Sequence, residues 1–406
     1  MQLSTEEINR RIALDFNKSL NNILLEIKEI YPNPTQKQIE QWQTDKKLEF
    51  IEINGEKCYF RCAARNLFRI DNEAKRLFVE KFGDEKAERN GLLQDYLSQI
   101  TKSQTPDIKQ FIFSFQLRVK PDAVPDGEII RCWLPYPRQD IEYQQNIKLI
   151  SINSGKYIIN QNSCHSTIYI EKEAEKNEEV FFEVKYSFEV MCCCAKRHNA
   201  RRQRLLPDKL PFISEQPPHI VFSEHLKNLS SQIIGNEPNQ YLKAKKIFTW
   251  ISQNIVWAAA REYPTIENIP EYVLTCKHGD CGQVTLLFIT LCRLNGIPAR
   301  WLSGFMLHPN YENLHDWAEI FIEGKGWLPV DVSFGLQNWA ENEDLKYFYF
   351  GNMDAYRLII NNGISGELLP AKIFPRSETI DFQRGEVEWK NSNLYFGDFD
   401  YGFCIG

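Results

Sequence analysis

Residues 279–300 read GDCGQVTLLFITLCRLNGIPAR, and no other stretch narrows the possible folds so far. Val284, Leu287, Phe288, Leu291 and Leu294 recur at helical spacing and give a helix one apolar face. Asn295-Gly296 provides a stop, and Pro298 blocks any continuation. The helix therefore opens at Cys281. A thiol in a first turn sits among unpaired backbone N–H groups at the positive end of the helix dipole, a position that favours the thiolate. Gly279 and Gly282 leave room beside it for another backbone to approach. The ordinary reading of a cysteine is a small buried apolar residue, and position alone leaves both readings open.

A thiolate nucleophile needs a base within hydrogen-bond reach, and that base needs a group to orient it. LHDWAEIFIEGKGWLPVDVSFG, 314–335, reads as strand, tight turn and strand. His315 starts the first strand and Asp331 lies well into the second. An odd loop such as 323–325 sets Trp317 opposite Asp331 and His315 opposite Ser333. His315 and Asp331 are then diagonal neighbours on one sheet face, whereas an even loop turns Asp331 away. Singly, the histidine reads as a surface residue and the aspartate as a turn former. Together, and following a thiol at a helix mouth, they point to nucleophilic catalysis.

The chain has 406 residues, 43% of them hydrophobic, with a formal net charge of −6. That supplies two or three domains with their own cores. The charge is too mild to imply a nucleic-acid partner. No apolar run approaches the roughly 18 residues that a membrane-spanning helix requires. The start, MQLSTEEINRRIALDF, is polar and amphipathic, with no signal-peptide core. Eleven cysteines, scattered and odd in number, do not form the framework of a small secreted scaffold. Such a chain fits the cytoplasm unless a leader has been removed.

Composition divides the chain into four stretches. Residues 1–109 read as mainly helical, with a first helix from Ser4 or Thr5 to about Ile30 and one hairpin at Asn54-Gly55. Residues 110–194 alternate apolar and polar positions and predict an antiparallel β-domain. Residues 195–218 are basic and then proline-rich, a linker. Residues 219–406 hold the helix and strands described above, followed by a β-rich extension. The fold class is α+β.

The runs GDCGQVTLLFITLCRLNGIPARWLSG and HDWAEIFIEGKGWLPVDVSFG resemble the prokaryotic branch of the transglutaminase-like superfamily. G-x-C opening a helix, the G-I-P-A-R exit, H-x-W-x-E on a strand and G-W-x-P-x-D on the next all occur in order, over about 240–335. The resemblance implies a papain-like core, with a nucleophile helix packed on an antiparallel sheet, preceded by a β-sandwich-like domain. It makes Cys281 the nucleophile, His315 the base and then acid, and Asp331 the group that orients the imidazole. Trp257 becomes a candidate oxyanion-hole donor beside the Cys281 backbone N–H. The implied chemistry is acyl transfer on peptide or carboxamide bonds through a thioester, by a cysteine peptidase or amidase. Transglutaminase activity and a non-catalytic scaffold are the alternatives. The implied partner is a peptide or protein substrate, with no cofactor; no feature sets an oligomeric state.

Three further features have readings of their own. Cys276, His278 and Cys281, in TCKHGDC, form a C-x-H-x-x-C set of zinc-type ligands, with His308 conceivable as a fourth. Trp301, Trp317, Trp327, Phe334 and Trp339 could line an acyl groove or pack on the sheet, and Glu319 could bind an amine or satisfy a neighbour. Lys196, Arg197, Arg201, Arg202 and Arg204 read as a solvated linker with no interleaved aromatic residue.

Overall fold

The Cys281–Leu294 helix begins with a reciprocal cap. The Gln283 N–H donates to Asp280 Oδ1 at 2.9 Å, and the Asp280 N–H donates to Gln283 Oε1 at 3.4 Å. Every residue from Gly282 to Arg293 is buried, so the helix is enclosed all round and not merely along the one face its spacing predicts. It packs against the helices Gln240–Asn254 and Ile269–Cys276 and against the strands Asn313–Ile322 and Ala299–Met306. Leu287, Phe288, Ile289 and Leu291 are wholly buried, each worth about 2 kcal/mol in area removed from water.

That sheet has four antiparallel strands in the order Gly326–Val330, Asn313–Ile322, Ala299–Met306, Arg357–Asn361. Ile322 pairs with Gly326, so the loop is 323–325, odd in length as the triad arrangement requires. Ala318 pairs with Val330, and the same register carried one step further sets Trp317 opposite Asp331. Residues 315 and 316 lie beyond this pairing, which leaves that edge of their strand open to the helix. Thr285 Oγ1 lies 3.5 Å from the Asp316 carbonyl there.

A computed structural model describes residues 3–103, 105–194 and 212–406. Residues 195–211 of the expected linker, including the five basic residues named above, lie outside it. The strands between 108 and 191 form two antiparallel sheets. One runs Phe399–Ile405, Ile108–Val119, Val180–Met191, Gln144–Ile152. The other runs Ser392–Leu394, Glu386–Trp389, Ile129–Pro135, Thr167–Glu173, Ile158–Asn160. The sequence places the 386–405 tail beside the catalytic region as an extension. Its strands Glu386–Trp389 and Phe399–Ile405 add to the edges of the β-domain at Ile129–Pro135 and Ile108–Val119, and Ser392–Leu394 pairs with Glu386–Trp389. Buried side chains of both sheets and of the 219–361 region form one continuous core, with Phe305 packed on Phe113 at 4.9 Å.

The N-terminal region has its own core, built around Phe16, Ile23, Ile27, Trp42, Tyr59, Phe60 and Leu67. The expected single helix to Ile30 is two, Thr5–Asp15 and Leu20–Lys28. Ser19 caps the second, while Lys18 between them exchanges backbone hydrogen bonds with Tyr59 of the hairpin. Tertiary pairing thus overrides helical periodicity. The hairpin itself is as expected, Phe50–Ile53 against Glu56–Tyr59, with Asn54 and Gly55 both at positive φ (53° and 83°).

Gly304 faces His315 across the sheet, at a bulge against the 357–361 strand. A Cβ there would lie 1.9 Å from the Leu358 carbonyl oxygen, so any side chain must push two strands apart. Gly324→Ala, in the open 323–325 loop, meets only backbone strain at φ 79°. In urea unfolding, Gly304→Ala is expected to lose about 3 kcal/mol, and Gly324→Ala about 1.

Candidate active site

The capped helix mouth fixes the Cys281 sulfur, and Gly282 lets it sit deep. A Cβ on Gly282 would stand 2.2 Å from the Tyr263 hydroxyl and 2.7 Å from Asp316 Oδ2. Tyr263 donates to the capping carboxylate, Asp280 Oδ1, at 2.6 Å. The thiol donates to Asp316 Oδ2 at 3.3 Å. Burial, and then the Asp316 and Asp280 carboxyls, push the thiol well above the ordinary range. The helix terminus favours the thiolate, while burial beside acids works in the opposite direction.

His315 is the residue before Asp316, and its ring lies between the Trp317 ring, stacked with centroids 5.8 Å apart, and the edge-on Phe334 ring at 5.4 Å. Its Nε2 bonds Asp331 Oδ2 at 2.7 Å. With Asp331 ionised that nitrogen carries the hydrogen, leaving Nδ1 to act as base. Burial holds the imidazole below its ordinary value, with Asp331 working in the opposite direction. The imidazole is thus neutral at pH 7. Among the described residues the hydrogen bond of the sulfur is to Asp316, and none joins it to the His315 ring. Sulfur and ring meet the same two-residue segment of one strand.

Asp331 is fully saturated. Oδ1 accepts from Ser333 N at 3.1 Å, Ser333 Oγ at 2.9 Å and Phe334 N at 3.1 Å. Oδ2 takes His315 and the Arg357 Nη1 at 3.0 Å. Burial alone would raise this carboxyl, but His315 and Arg357 bring it to about 2. Arg357, wholly buried, also pairs with Asp354 at 2.9 Å, and Asp354 with His308 Nε2 at 3.2 Å. Sequence reasoning missed Asp316, Arg357 and Asp354. Asp316 occupies the variable position of H-x-W-x-E; Arg357 opens a later strand and Asp354 lies in the segment just before it, neither within a motif of its own.

The remaining candidates fall elsewhere. Trp257 pairs with Gly279, two residues before Cys281, and is 42% exposed, with the Arg69 guanidinium 4.4 Å over its ring. Glu319 is held by Arg300 at 2.6 Å and Tyr143 at 3.3 Å, so its role is satisfying neighbours. Trp301 and Trp317 are buried on the sheet. His278 packs against Tyr272 and His308 against Tyr356; among the described residues no cluster of three or more His, Cys, Asp or Glu side chains is placed to hold a metal.

Replacing Arg357 by methionine leaves two buried carboxylates without their cation. The variant is expected to lose about 4 kcal/mol of stability in denaturant unfolding at pH 7. The deficit should shrink as the pH falls toward 4, where the carboxylates can take up protons.

Residues 227–332 match the family described as "Transglutaminase-like superfamily". The uncharacterized protein YebA of Bacillus subtilis is 23% identical over 158 residues, 34% of this chain and 20% of that protein. An uncharacterized Haemophilus influenzae protein is 25% identical over 189 residues, 38% of this chain and 50% of its own length. This chain therefore spans half or less of those relatives. Among solved structures, a candidate cysteine protease of Cytophaga hutchinsonii aligns with a TM-score of 0.44 at 16% identity, covering 74% of this chain and 92% of that one. The periplasmic domain of Pseudomonas aeruginosa TgpA aligns at 0.31 and 12% identity, covering 59% and 91%. Residues 227–332 of this chain are a transglutaminase-like domain, and Cys281, His315 and Asp331 all fall within it.

Proposed function

We propose that the chain is a thiol-dependent acyl-transfer enzyme acting on peptide or carboxamide bonds, with Cys281 as nucleophile and hydrolysis as its outcome. The observation that carries this reading is the 2.7 Å His315–Asp331 bond, set one residue along the strand from the contact that receives the Cys281 sulfur. A neutral thiol and a neutral imidazole define the order of events. As the sulfur attacks the substrate carbonyl, its proton passes to His315 Nδ1, and Asp331 stabilises the imidazolium. The imidazolium then protonates the leaving amine, and a thioester remains on Cys281. Water activated by the same nitrogen releases the acid. The developing oxyanion is assigned to the Cys281 backbone N–H and to Trp257, whose strand runs beside Gly279.

Transfer to an amine is the second reading, and the partial burial of the sulfur favours it by limiting water at the thioester. One experiment separates the outcomes. A peptide library is incubated with the protein, with and without a primary amine, and products are read by mass spectrometry. Cleavage supports hydrolysis, and amine incorporation supports transamidation. Either is expected to fall at least 10³-fold in Cys281→Ala; activity retained in that variant rejects the reading.

Asp331→Asn is expected to lower kcat/KM about 10²- to 10⁴-fold, since the imidazole loses its orienting carboxylate. Asp331 raises the His315 value, so its removal lets burial push the ring lower still. The acid limb of the pH profile should accordingly move to lower pH in the variant, while the maximum rate drops.

A further inference from the structure

Asp316 is the recorded partner of the sulfur, and neither the motif nor the mechanism above uses it. Its surroundings are unusual for a buried acid. Oδ2 receives the Cys281 thiol at 3.3 Å, and Oδ1 accepts from Gln383 Nε2 at 3.1 Å. The same Gln383 amide also reaches the carbonyls of His315, at 3.0 Å, and Gly304, at 2.8 Å, so the carboxyl is pinned by the strand that bears the base. The Asp381 carboxyl hydrogen-bonds to that of Asp316, and Asp280 faces it from the helix cap. Tyr263, beside Asp280, spends its hydroxyl on that cap. Glu378 stands behind Asp381. The two arginines of the segment are engaged elsewhere: Arg384 lies 3.5 Å from Glu378 and 3.7 Å from Glu262, and Arg376 donates to the backbone oxygens of Asp381 and Thr379. No cation pairs with Asp316 among the described residues. His315 lies on the other face of its own strand. A carboxyl so placed, against a second carboxyl and without a counter-ion, keeps its proton.

We propose that Asp316, protonated and paired with Asp381, is the resting partner of the Cys281 thiol and sets the pH at which that thiol becomes a nucleophile. In the resting arrangement the S–H points at Asp316 Oδ2, away from the base, and the hydrogen of Asp316 lies toward Asp381. Attack requires the S–H to leave that oxygen and reach His315 Nδ1 past the edge of the strand, which is unpaired with Gly326–Val330 at 315 and 316. Gly282 is the condition for this geometry, since any side chain there would displace Asp316. The proposal rests on Cys281 being the nucleophile, and it names what restrains it.

The test is the pH dependence of iodoacetamide labelling of Cys281 in the full chain, read from the mass of the peptide that contains it. Wild type is expected to label with a midpoint at least one pH unit above the ordinary thiol value of about 8.5. Asp316→Asn keeps the shape and the acceptor for Gln383 but presents an N–H to the sulfur. Its midpoint is expected to fall by at least one unit, equivalent to a tenfold or greater gain in labelling rate at pH 7.5. Asp316→Ala, checked for native near-UV dichroism, should shift it in the same direction by less. A wild-type midpoint at or below 8.5 overturns the proposal without any variant. A folded Asp316 variant whose midpoint coincides with wild type, or lies above it, overturns it as well. Labelling reads the sulfur directly, so this outcome is independent of turnover, which Cys281→Ala tests separately.

Discussion

Among the described residues Arg357 is the cation in direct contact with both Asp331 and Asp354, and it is wholly buried. A guanidinium stripped of water is unfavourable by several kcal/mol unless its surroundings return the lost hydration. Here two carboxylates and the faces of Phe334 and Trp317, at 4.7 and 5.4 Å, do so. The consequence reaches the base. Asp331 is fixed by the guanidinium from one side and by the turn at Ser333 and Phe334 from the other, so the imidazole bonded to it has one orientation. The strand that supplies Arg357 is the edge strand of the sheet, and the Asp331 it holds follows the edge strand on the opposite side. One side chain thus ties the two edges of the sheet together beneath His315.

What local pattern can encode was legible. The helix opening at Cys281 follows from five apolar residues at helical spacing and a stop at Asn295-Gly296. The register of His315 and Asp331 follows from the length of one tight loop, since side chains alternate along a strand with period two. The hairpin at Asn54-Gly55 follows from two residues that tolerate positive φ. The parts not legible depend on contacts remote in sequence. The tail strands at 386–405 have the alternation of any strand, and nothing local says which sheet edge they join. Lys18 breaks a helical run because Tyr59, forty-one positions away, pairs with it. Asp316 looks like an exposed strand residue until Asp381 and Gln383 are brought against it.

The two faces of the Asn313–Ile322 strand hold opposite electrostatic solutions to one problem, how to bury acids. On the His315 face each carboxylate has a cation, and Asp331 stays ionised with a value of about 2. On the Asp316 face the acids outnumber the cations that reach them. Burial raises Asp280 to about 6 and Glu378 to about 8, and it raises Asp316 and Asp381 as well. The linkage to stability has opposite signs. A depressed Asp331 contributes stability above its unfolded value of about 3.9, lost as the pH falls through 2. The raised acids contribute none below their unfolded values near 4. They weaken the fold progressively above those values, because the unfolded chain ionises first.

That division leaves both the Cys281 thiol and the His315 imidazole neutral at pH 7. An ion pair of thiolate and imidazolium needs the imidazole to hold a proton in a buried site and the sulfur to hold charge beside Asp280 and Asp316. Both are disfavoured, chiefly by desolvation, and the sulfur also lies among acidic groups. In the proposed mechanism the sulfur therefore gives up its proton only as it bonds to carbon, when charge moves onto the carbonyl oxygen near the Cys281 backbone N–H and the imidazolium forms against Asp331. The N-terminal region bears on this step through the loop that carries Trp257. Asn66 exchanges two 2.9 Å hydrogen bonds with the backbone of Ala259, and Asp15 accepts from the Glu262 N–H at 2.7 Å. Loop residues held at both ends of a short segment lose little entropy when a substrate arrives. The helical region with its separate core thus holds the loop on the far side of Cys281 as Arg357 holds Asp331 beneath His315, each fixing in advance one group of the proposed site.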